Sequence, residues 1–511
     1  MKKIDDILNK ITMYRVVLYE LIGLLVVACI LGLFGWIAYT PVSIFFSTAY
    51  ILAICLGVNV LFAWAYDAPS NPESTYITAL ILALIITPAL AFTDTTFLMF
   101  AFWASALAMA SKYILAIGKK HIFNPAAIAV VITALALNQA ASWWVGTAFI
   151  LPFVLIGGFL VTRKIKRFDL VLSAIGVSLA VILVLAFVHG GTVVSLFVLA
   201  WTVIISTPLI FFATVMLTEP LTSPPTSLLR SSYGTLVGVL LTPVMHIGSI
   251  YSTPELALVL GNVFSYIVSP KKKLVLTLKT VEHIAHDSYD FVFTPDQQMT
   301  YRPGQYMEWT LAHPYPDNRG IRRYFTLASS PTERELRLGI KFYDNGSTFK
   351  KKLLSMKVGE SIVASGLAGD FVLPKDKTKK LVFIAGGIGV TPFRSMIQNL
   401  MDTGDKRAVT LFYSNRTTSD VAYKELFDRA EMTLGIKTVH VLTDPQTDMS
   451  GFTHSARTID AHVIAEQVPD YKDRIFYLSG PRGMVSSFQT LLKTIGVPEG
   501  HIKTDFFPGF A

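Results

Sequence analysis

Long apolar runs dominate the first half of the chain, and short polar segments separate them. A run of about 20 apolar residues is long enough to cross a bilayer as a helix. The long runs cover residues 17–40, 43–66, 76–92, 96–111, 146–162, 169–188 and 193–217, and shorter or interrupted runs cover 125–142, 231–245 and 254–269. The pattern predicts about ten transmembrane helices, with eight as the alternative.

Basic residues are distributed unevenly between the segments that join these runs. With the N-terminus placed inside, the inner loops hold all 12 Lys and Arg of residues 1–270, and the outer loops hold none. Lys and Arg concentrate on the cytoplasmic side of membrane proteins. We therefore expect a cytoplasmic N-terminus, and an even number of spans returns the chain to the cytoplasm at residues 271–273.

After residue 270 the pattern changes to short segments in which apolar and polar residues alternate. Five such segments between residues 273 and 343 predict a small antiparallel β-barrel that ends near Leu373. From Lys379 onward, apolar strands alternate with helical patterns, which predicts a parallel, doubly wound sheet. The predicted architecture is a multi-pass α-helical membrane domain (1–270), an antiparallel β-barrel domain (271–374) and an α/β parallel-sheet domain (375–511).

Composition supports this division. The chain is 52% hydrophobic and 15% charged, whereas a typical soluble domain has about 25% charged residues. These values exclude an ordinary soluble protein. The net charge of +9 follows the predicted topology and does not form one basic patch, so we expect no nucleic-acid partner.

Cysteine and histidine are too few for common redox metal centres. The two cysteines, Cys29 and Cys55, both lie in apolar runs, so a four-cysteine iron–sulfur cluster is excluded. Of the three histidines in the predicted membrane domain, topology places His121 inside and the other two outside. Paired histidines for stacked haems are therefore absent from the pattern, and we predict no metal site.

The first chemical motif lies on a predicted strand and comprises residues 323–329. Arg323 offers a planar fork for a phosphate, Tyr324 and Phe325 offer aromatic faces for a ring system, and the Thr326 hydroxyl can hydrogen-bond the edge of that ring. An ordinary strand with an exposed arginine is the alternative interpretation. The turn 345–349 opens a short helix whose Gly346, Ser347 and Thr348 suit a pyrophosphate.

The second motif is a glycine-rich turn between a predicted strand and a predicted helix. Gly386, Gly387 and Gly389 allow close backbone approach to a dinucleotide, and Thr391 and Pro392 begin the helix that follows. The usual Gly-x-Gly-x-x-Gly pattern is absent. A plain turn is the alternative interpretation.

The order of these motifs over residues 273–511 resembles the ferredoxin–NADP⁺ reductase superfamily of FAD- and NAD(P)H-binding flavoenzymes. The resemblance implies that the first motif and Gly346–Thr348 contact FAD and that the glycine turn contacts the nucleotide. It places Ser414 and Arg416 at the adenosine ribose, and Ser479, Gly480 and Pro481 where the family has Cys-Gly-Pro near the nicotinamide. It also implies a shielding aromatic tail that includes Phe510. Thr326 and Ser479 are the catalytic candidates.

Polar segments in the apolar half carry a second resemblance. The sequences FNPAA at 123–127, WWVG at 143–146 and TEPLTSP at 218–224 resemble the membrane proteins RnfD, of the Rnf complex, and NqrB, of the sodium-pumping NADH:quinone reductase. The resemblance covers residues 15–270 and implies ten spans, a flavin and electron transfer to a quinone or another carrier. The covalent flavin motif of that family is not found, which leaves a noncovalent FMN or riboflavin open. Helix capping by these polar residues is the alternative interpretation.

Together the two halves predict a membrane flavoenzyme that takes hydride from NAD(P)H to FAD on the cytoplasmic side and passes electrons to a bound flavin or quinone. Expected partners are the lipid bilayer, the pyridine nucleotide, a membrane electron acceptor and further electron-transfer subunits. Redox-driven ion transport and simple anchoring of a reductase are the alternatives. Glu20, Asp169 and Glu255 each fall near a predicted span start, which favours electron transfer over transport.

Overall fold

The computed structural model describes residues 2–8, 11–66, 72–117, 120–242, 245–248, 250–269, 273–317 and 320–505. The chain divides near residue 271 into two compact units. Each unit has its own hydrophobic core.

The first unit is helical. Its helices are α1 (Lys2–Leu8), α2 (Met13–Leu33), α3 (Pro41–Ala65), α4 (Pro72–Ile85), α5 (Thr95–Ile114), α6 (Pro125–Leu137), α7 (Leu151–Ile165), α8 (Phe168–Val188), α9 (Val193–Ser206), α10 (Leu209–Phe211), α11 (Ser227–Leu240) and α12 (Pro254–Val268). A π-helical turn, Phe212–Met216, continues α10. Among the described residues, four helices, α2, α3, α5 and α8, are long and apolar enough to cross a membrane, and α9 with its continuation to Met216 would make a fifth, bent by 64°. Ten spans are therefore not confirmed.

Several predicted runs are shorter as helices than as apolar sequence. The run 17–40 ends as a helix at Leu33, because Gly35 adopts φ +69° and terminates α2. The run 193–217 breaks between α9 and α10, where Pro208 forces Thr207 into an extended conformation (φ −122°, ψ 159°). The run 146–162 becomes helical only at Leu151.

The run 76–92 ends as a helix at Ile85 because a later loop binds its last carbonyl groups. The Trp144 indole Nε1 donates to Ala83 O at 2.9 Å, and the Trp143 backbone N–H donates to Ile85 O at 2.9 Å. Val145 N–H donates to Leu84 O at 3.3 Å. A helix end in an apolar interior needs such partners.

The second unit begins with an antiparallel sheet. Its strands are β1 (Leu274–Ala285), β2 (Ser288–Pro295), β3 (Tyr306–Thr310), β4 (Arg322–Thr326), β5 (Leu336–Lys341) and β6 (Ser361–Ala368), with α13 (Thr348–Leu354) between β5 and β6. The strand order is β4-β3-β6-β1-β2-β5. Within the described part, β4 and β5 form no ladder, although Ala328 N–H donates to Arg337 O at 2.9 Å beyond their ends. A closed barrel is therefore not confirmed.

A parallel sheet follows, as predicted. Its strands are β7 (Leu381–Gly386), β8 (Val409–Asn415), β9 (Lys437–Leu442), β10 (Ser455–Ala456), β11 (Ile475–Ser479) and β12 (Ile502–Thr504), in the order β10-β9-β8-β7-β11-β12. Helices α14 (Thr391–Thr403), α15 (Lys424–Leu434), α16 (Ala461–Gln467) and α17 (Arg482–Thr494) connect or flank the strands. All six residues of β7 are buried, as expected for a central parallel strand.

Candidate functional site

The carboxyl ends of three central strands bring predicted site residues together. Gly386 on β7 is paired with Ser414 on β8, and the preceding Ala385 is paired with Ser479 on β11. Ligands of doubly wound sheets bind at this edge. The parallel register therefore unites residues that are far apart in the sequence.

The glycine turn after β7 leaves room for a ligand on one side and for a second loop on the other. Gly387 has φ +52°, and a Cβ atom there would meet nothing within 4 Å. A Cβ at Gly389 would lie 2.6 Å from Gly480 Cα, and one at Gly386 would lie 2.5 Å from Met484 Sδ. Side chains at Gly386 and Gly389 would therefore push the two loops apart. An open turn followed by the start of α14 fits a dinucleotide.

Thr326 and Ser479, the two catalytic candidates, meet at a third residue. The Thr326 hydroxyl lies 3.5 Å and the Ser479 hydroxyl 3.3 Å from Asp505 Oδ2. Thr326 and Ser479 are both buried. Asp505 was not predicted as a site residue, although it directly precedes the predicted aromatic tail. No sequence signal relates residue 505 to residue 326.

The groups predicted to bind the FAD pyrophosphate also converge. Arg323 is 4% exposed and has its guanidinium 5.3 Å from the centre of the Phe349 ring. Its Nη2 lies 3.7 Å from Asp317 Oδ1, while the Thr348 backbone N–H donates to Asp317 Oδ2 at 3.0 Å. One carboxylate thus contacts both predicted phosphate donors, so these donors can reach a single anion. The residues present fit a pyrophosphate.

Strand β4 divides its aromatic residues between two faces. Phe325 packs on Phe349 at 6.0 Å between ring centres, on the same face as Arg323. The Tyr324 hydroxyl donates to Glu308 Oε2 at 2.7 Å, and its ring lies edge-on to Tyr306. Tyr324 therefore lies on the face opposite Arg323.

The remaining predicted residues have less uniform surroundings. Ser347 caps α13 by accepting from Lys350 N–H, and it is buried, as is Thr391 at the start of α14. Arg416 is exposed after the end of β8. The other predicted contacts are Gly346 in the turn before α13, Pro392 in the first turn of α14, and Gly480 and Pro481 after β11. Phe510 lies outside the described residues.

The first unit contains a pocket with an empty volume of about 650 Å³. Apolar residues of α2 and α4 line it together with Ser74, Asn124 and Glu219. Asn124 Nδ2 donates to Glu219 Oε2 at 2.9 Å, and His121 Nε2 lies 3.4 Å from Glu219 Oε1. The FNPAA and TEPLTSP segments therefore meet at one site.

A second pair of contacts extends this polar site into α12. Asn262 Oδ1 accepts from the Asn124 backbone N–H at 2.8 Å, and Asn262 Nδ2 donates to the Tyr233 hydroxyl at 2.9 Å. Asn124 also caps α6 by accepting from Ala127 N–H. Helix capping, the alternative interpretation, thus holds for Asn124 but does not account for its other contacts.

Comparison with known families supports an assignment for the second unit. Residues 275–373 match the oxidoreductase FAD-binding domain, and residues 383–490 match the oxidoreductase NAD-binding domain. The second half of the chain therefore contains the FAD-binding and NAD-binding domains of an oxidoreductase. FAD and a pyridine nucleotide are the corresponding cofactor and substrate.

Individual relatives match the same half. A flavohemoprotein of Burkholderia sp. (strain TH2) is 29% identical over 210 residues, which are 41% of this chain and 52% of the relative. The F component of the Na⁺-translocating NADH-quinone reductase of Serratia proteamaculans (strain 568) is 30% identical over 204 residues, 38% of this chain and 47% of the relative. The chain thus spans about half the length of these curated relatives. Among solved structures, the FAD/NAD-binding domain of a Vibrio cholerae nitric oxide dioxygenase has 22% identity and a TM-score of 0.40, covering 46% of this chain and 98% of that one.

Proposed function

We propose that the protein is a membrane-bound flavin oxidoreductase that takes hydride from NAD(P)H to FAD and passes electrons to a carrier in its first unit. The observation that carries the proposal is the meeting of Thr326 and Ser479 at Asp505, beside the open glycine turn. This arrangement joins the FAD-binding and NAD-binding domains at one polar point. Bound FAD would accept two electrons as a hydride and release them singly.

The chain's own residues have separate tasks in this proposal. Arg323 and the start of α13 bind the pyrophosphate of FAD, while Phe325 supports the ring. Thr326 and Ser479 orient the reacting edge, and Asp505 holds both hydroxyls in place. The glycine turn and the first turn of α14 bind the nucleotide phosphates.

Anaerobic titration of the purified full chain tests the reductase part. Stoichiometric bleaching of the flavin absorption by NADH or NADPH is the expected result. A chain that contains FAD but is bleached by neither nucleotide would contradict the proposal.

For the first unit we propose a membrane domain of about ten spans with a cytoplasmic N-terminus and the reductase domains on the cytoplasmic side. The pocket at Asn124 and Glu219 supports a carrier site, because its volume lies within the range of about 300–1,000 Å³ of ligand pockets and its lining is apolar with a few polar groups. The proposed occupant is a noncovalent FMN or riboflavin, or a quinone. Further electron-transfer subunits are proposed partners.

The carrier is tested by cofactor analysis of the full chain before and after acid precipitation. A second flavin that is released by acid, and lost in Asn124→Leu, is the expected result for a flavin. Quinone-dependent NAD(P)H oxidation that falls in the same variant indicates a quinone. Thr202→Val on the exposed face of α9 is the matched control. Unchanged flavin content and unchanged quinone reduction in Asn124→Leu would leave simple anchoring as the function of the first unit.

Redox-driven ion transport is a second candidate, and Glu20 favours it. The prediction that Glu20 lies near a helix start is wrong, because α2 begins at Met13 and Glu20 lies about two turns inside it. Its Oε1 atom is buried without a hydrogen-bond partner among the described residues. A Cβ at Gly157 would lie 1.2 Å from Glu20 Oε2, so that glycine makes room for the carboxylate. Ionisable groups at membrane depth mark ion pathways.

Proteoliposomes containing the full chain test this candidate. NAD(P)H oxidation should generate an ion gradient that Glu20→Gln abolishes while FAD reduction continues. Oxidation without any gradient in the wild-type protein would exclude transport.

A further inference from the structure

Helix α14 carries polar side chains that contact the segment directly after β4. We name this segment, residues 328–333, the docking loop. The Ser395 hydroxyl donates to Ser329 O at 2.5 Å, and Arg394 Nη1 donates to Ala328 O at 3.1 Å. Ser395 is fully buried and Arg394 is 6% exposed, so water competes little for these bonds.

The docking loop returns the contact through a carboxylate. Arg394 binds Glu333 with both terminal nitrogens, and Nη2 lies 2.9 Å from Glu333 Oε1. Glu333 also accepts a hydrogen bond from Ser330 N–H at 2.5 Å, which ties the carboxylate to its own loop. A bidentate arginine–carboxylate pair fixes orientation as well as distance.

Further charges hold this contact from the antiparallel sheet. Arg337 Nε lies 3.7 Å from Glu333 Oε1, while its Nη1 donates to the buried Asp290 Oδ2 at 2.7 Å and to Glu282 Oε2 at 2.9 Å. Buried charges are costly unless they are paired. The pairing makes any slip of α14 along the docking loop expensive.

The position of the docking contact in the chain gives it a consequence for the site. Ala328 lies two residues after Thr326, at the flavin end of β4, and Arg394 lies three residues after Thr391, at the nucleotide end of α14. One guanidinium therefore spans the two elements whose ends face the two reactants. The β-ladders supply no direct pairing between the antiparallel and parallel sheets among the described strands, so side chains must set their spacing.

We propose that Arg394, Ser395 and Glu333 are positioning residues that set the separation of FAD and the nicotinamide ring. This inference rests on the proposed hydride transfer. That transfer breaks the C–H bond at nicotinamide C4 and forms an N–H bond at flavin N5, and both electrons move with the hydrogen. None of the three side chains gains or loses a proton. Their effect is geometric, and a misplacement of about 1 Å can cost roughly 100-fold in rate.

The test uses the purified full chain with Glu333→Gln and Ser395→Ala as two independent variants. Glu333→Gln keeps the shape and removes the charge, while Ser395→Ala removes one hydrogen bond and is the milder change. Asn399→Ala is the matched control, because Asn399 lies one turn further along the same face and its side chain bonds only the Ser330 side chain among the described residues, at 3.4 Å. Three quantities are measured: FAD content, nucleotide affinity and the rate constant of FAD reduction. Amide hydrogen exchange of the docking loop is measured in FAD-free protein.

We expect both variants to keep their FAD content and nucleotide affinity within about twofold while FAD reduction slows about tenfold or more. Exchange in the docking loop should rise in the FAD-free variants, and Asn399→Ala should change neither quantity. Unchanged reduction rates in both variants would overturn the positioning role, as would a loss of FAD content or nucleotide affinity parallel to the loss of rate. If wild-type protein is not reduced by either nucleotide, the proposed function itself fails.

Discussion

Thr326 and Ser479 share one carboxylate oxygen, Asp505 Oδ2, although one hydroxyl belongs to the FAD-binding domain and the other to the NAD-binding domain. Both hydroxyls are almost fully buried, with Thr326 at 4% and Ser479 at 3% exposure. Buried hydroxyls need hydrogen-bond partners. The aspartate therefore fixes the direction of both.

We expect Asp505→Asn to slow FAD reduction about tenfold while FAD content stays unchanged, because an amide binds two hydroxyls less firmly than a carboxylate. Rapid mixing with NADH or NADPH measures the rate. Glu499→Gln, an exposed change near the same C-terminal strand, should have no effect. A wild-type rate in Asp505→Asn would show that the shared carboxylate does not act on the reaction.

Arg323→Ala should weaken FAD binding, because a phosphate loses a charge-assisted partner worth about 1.5–3 kcal/mol. This corresponds to roughly a 10- to 150-fold increase in the FAD dissociation constant. Arg322→Ala is the control, since Arg322 lies on the opposite face of β4, 3.4 Å from Glu308. Purification of Arg323→Ala with a full FAD complement that survives dilution would rule out the phosphate contact.

Arg416→Ala should lower kcat/KM for NADPH more than for NADH, about tenfold in their ratio. The exposed Arg416 and the neighbouring Ser414 follow or end β8, where a 2′-phosphate would lie. Lys406→Ala at the opposite end of the strand should leave the ratio unchanged. A clear preference of the wild-type protein for NADH would contradict the assignment of a 2′-phosphate site.

His440 should make the second unit sensitive to acid. Burial lowers the pKa of its imidazole to about 4, helped by the nearby Lys424 charge. Because the unfolded chain then binds a proton more readily than the folded protein, stability is complete above about pH 6.5 and declines as pH falls toward 4. The loss is on the order of 3 kcal/mol.

The measurement is the temperature of FAD release between pH 7 and pH 4.5 for the wild type and His440→Phe. His440 packs against Phe452 at 4.3 Å between ring centres, so a phenyl ring fits a largely apolar setting. The variant should lose less stability over this interval. Equal losses in both proteins would assign the acid sensitivity to other groups.

The sequence predicted the second unit well because its signals are local. Strand alternation, the Arg323 motif and the glycine turn after β7 each lie within a few residues, and their structural context agrees with the patterns. Asp505, Asp317 and Glu333 were missed for the opposite reason. Each acts through contacts with residues remote in sequence, and a lone acidic residue in a loop or at a strand end carries no periodic signal.

The first unit shows the complementary limit. Hydropathy located its apolar segments but overestimated several helix lengths, because it does not register Gly35 or Pro208 as a helix terminator. It also could not show that Asn124, Glu219 and Asn262 meet. Polar residues in separate apolar segments look alike whether they cap a helix or face one another.

The bonds that end α4 have a consequence for biosynthesis. Trp144, which caps the Ala83 carbonyl, lies 61 residues later in the chain. In a bilayer, an unsatisfied carbonyl at depth costs several kcal/mol. The end of α4 is therefore completed only after α5, α6 and the Trp143–Trp144 loop have left the ribosome, and translation that stops before that loop leaves α4 in a state that membrane quality control can recognise.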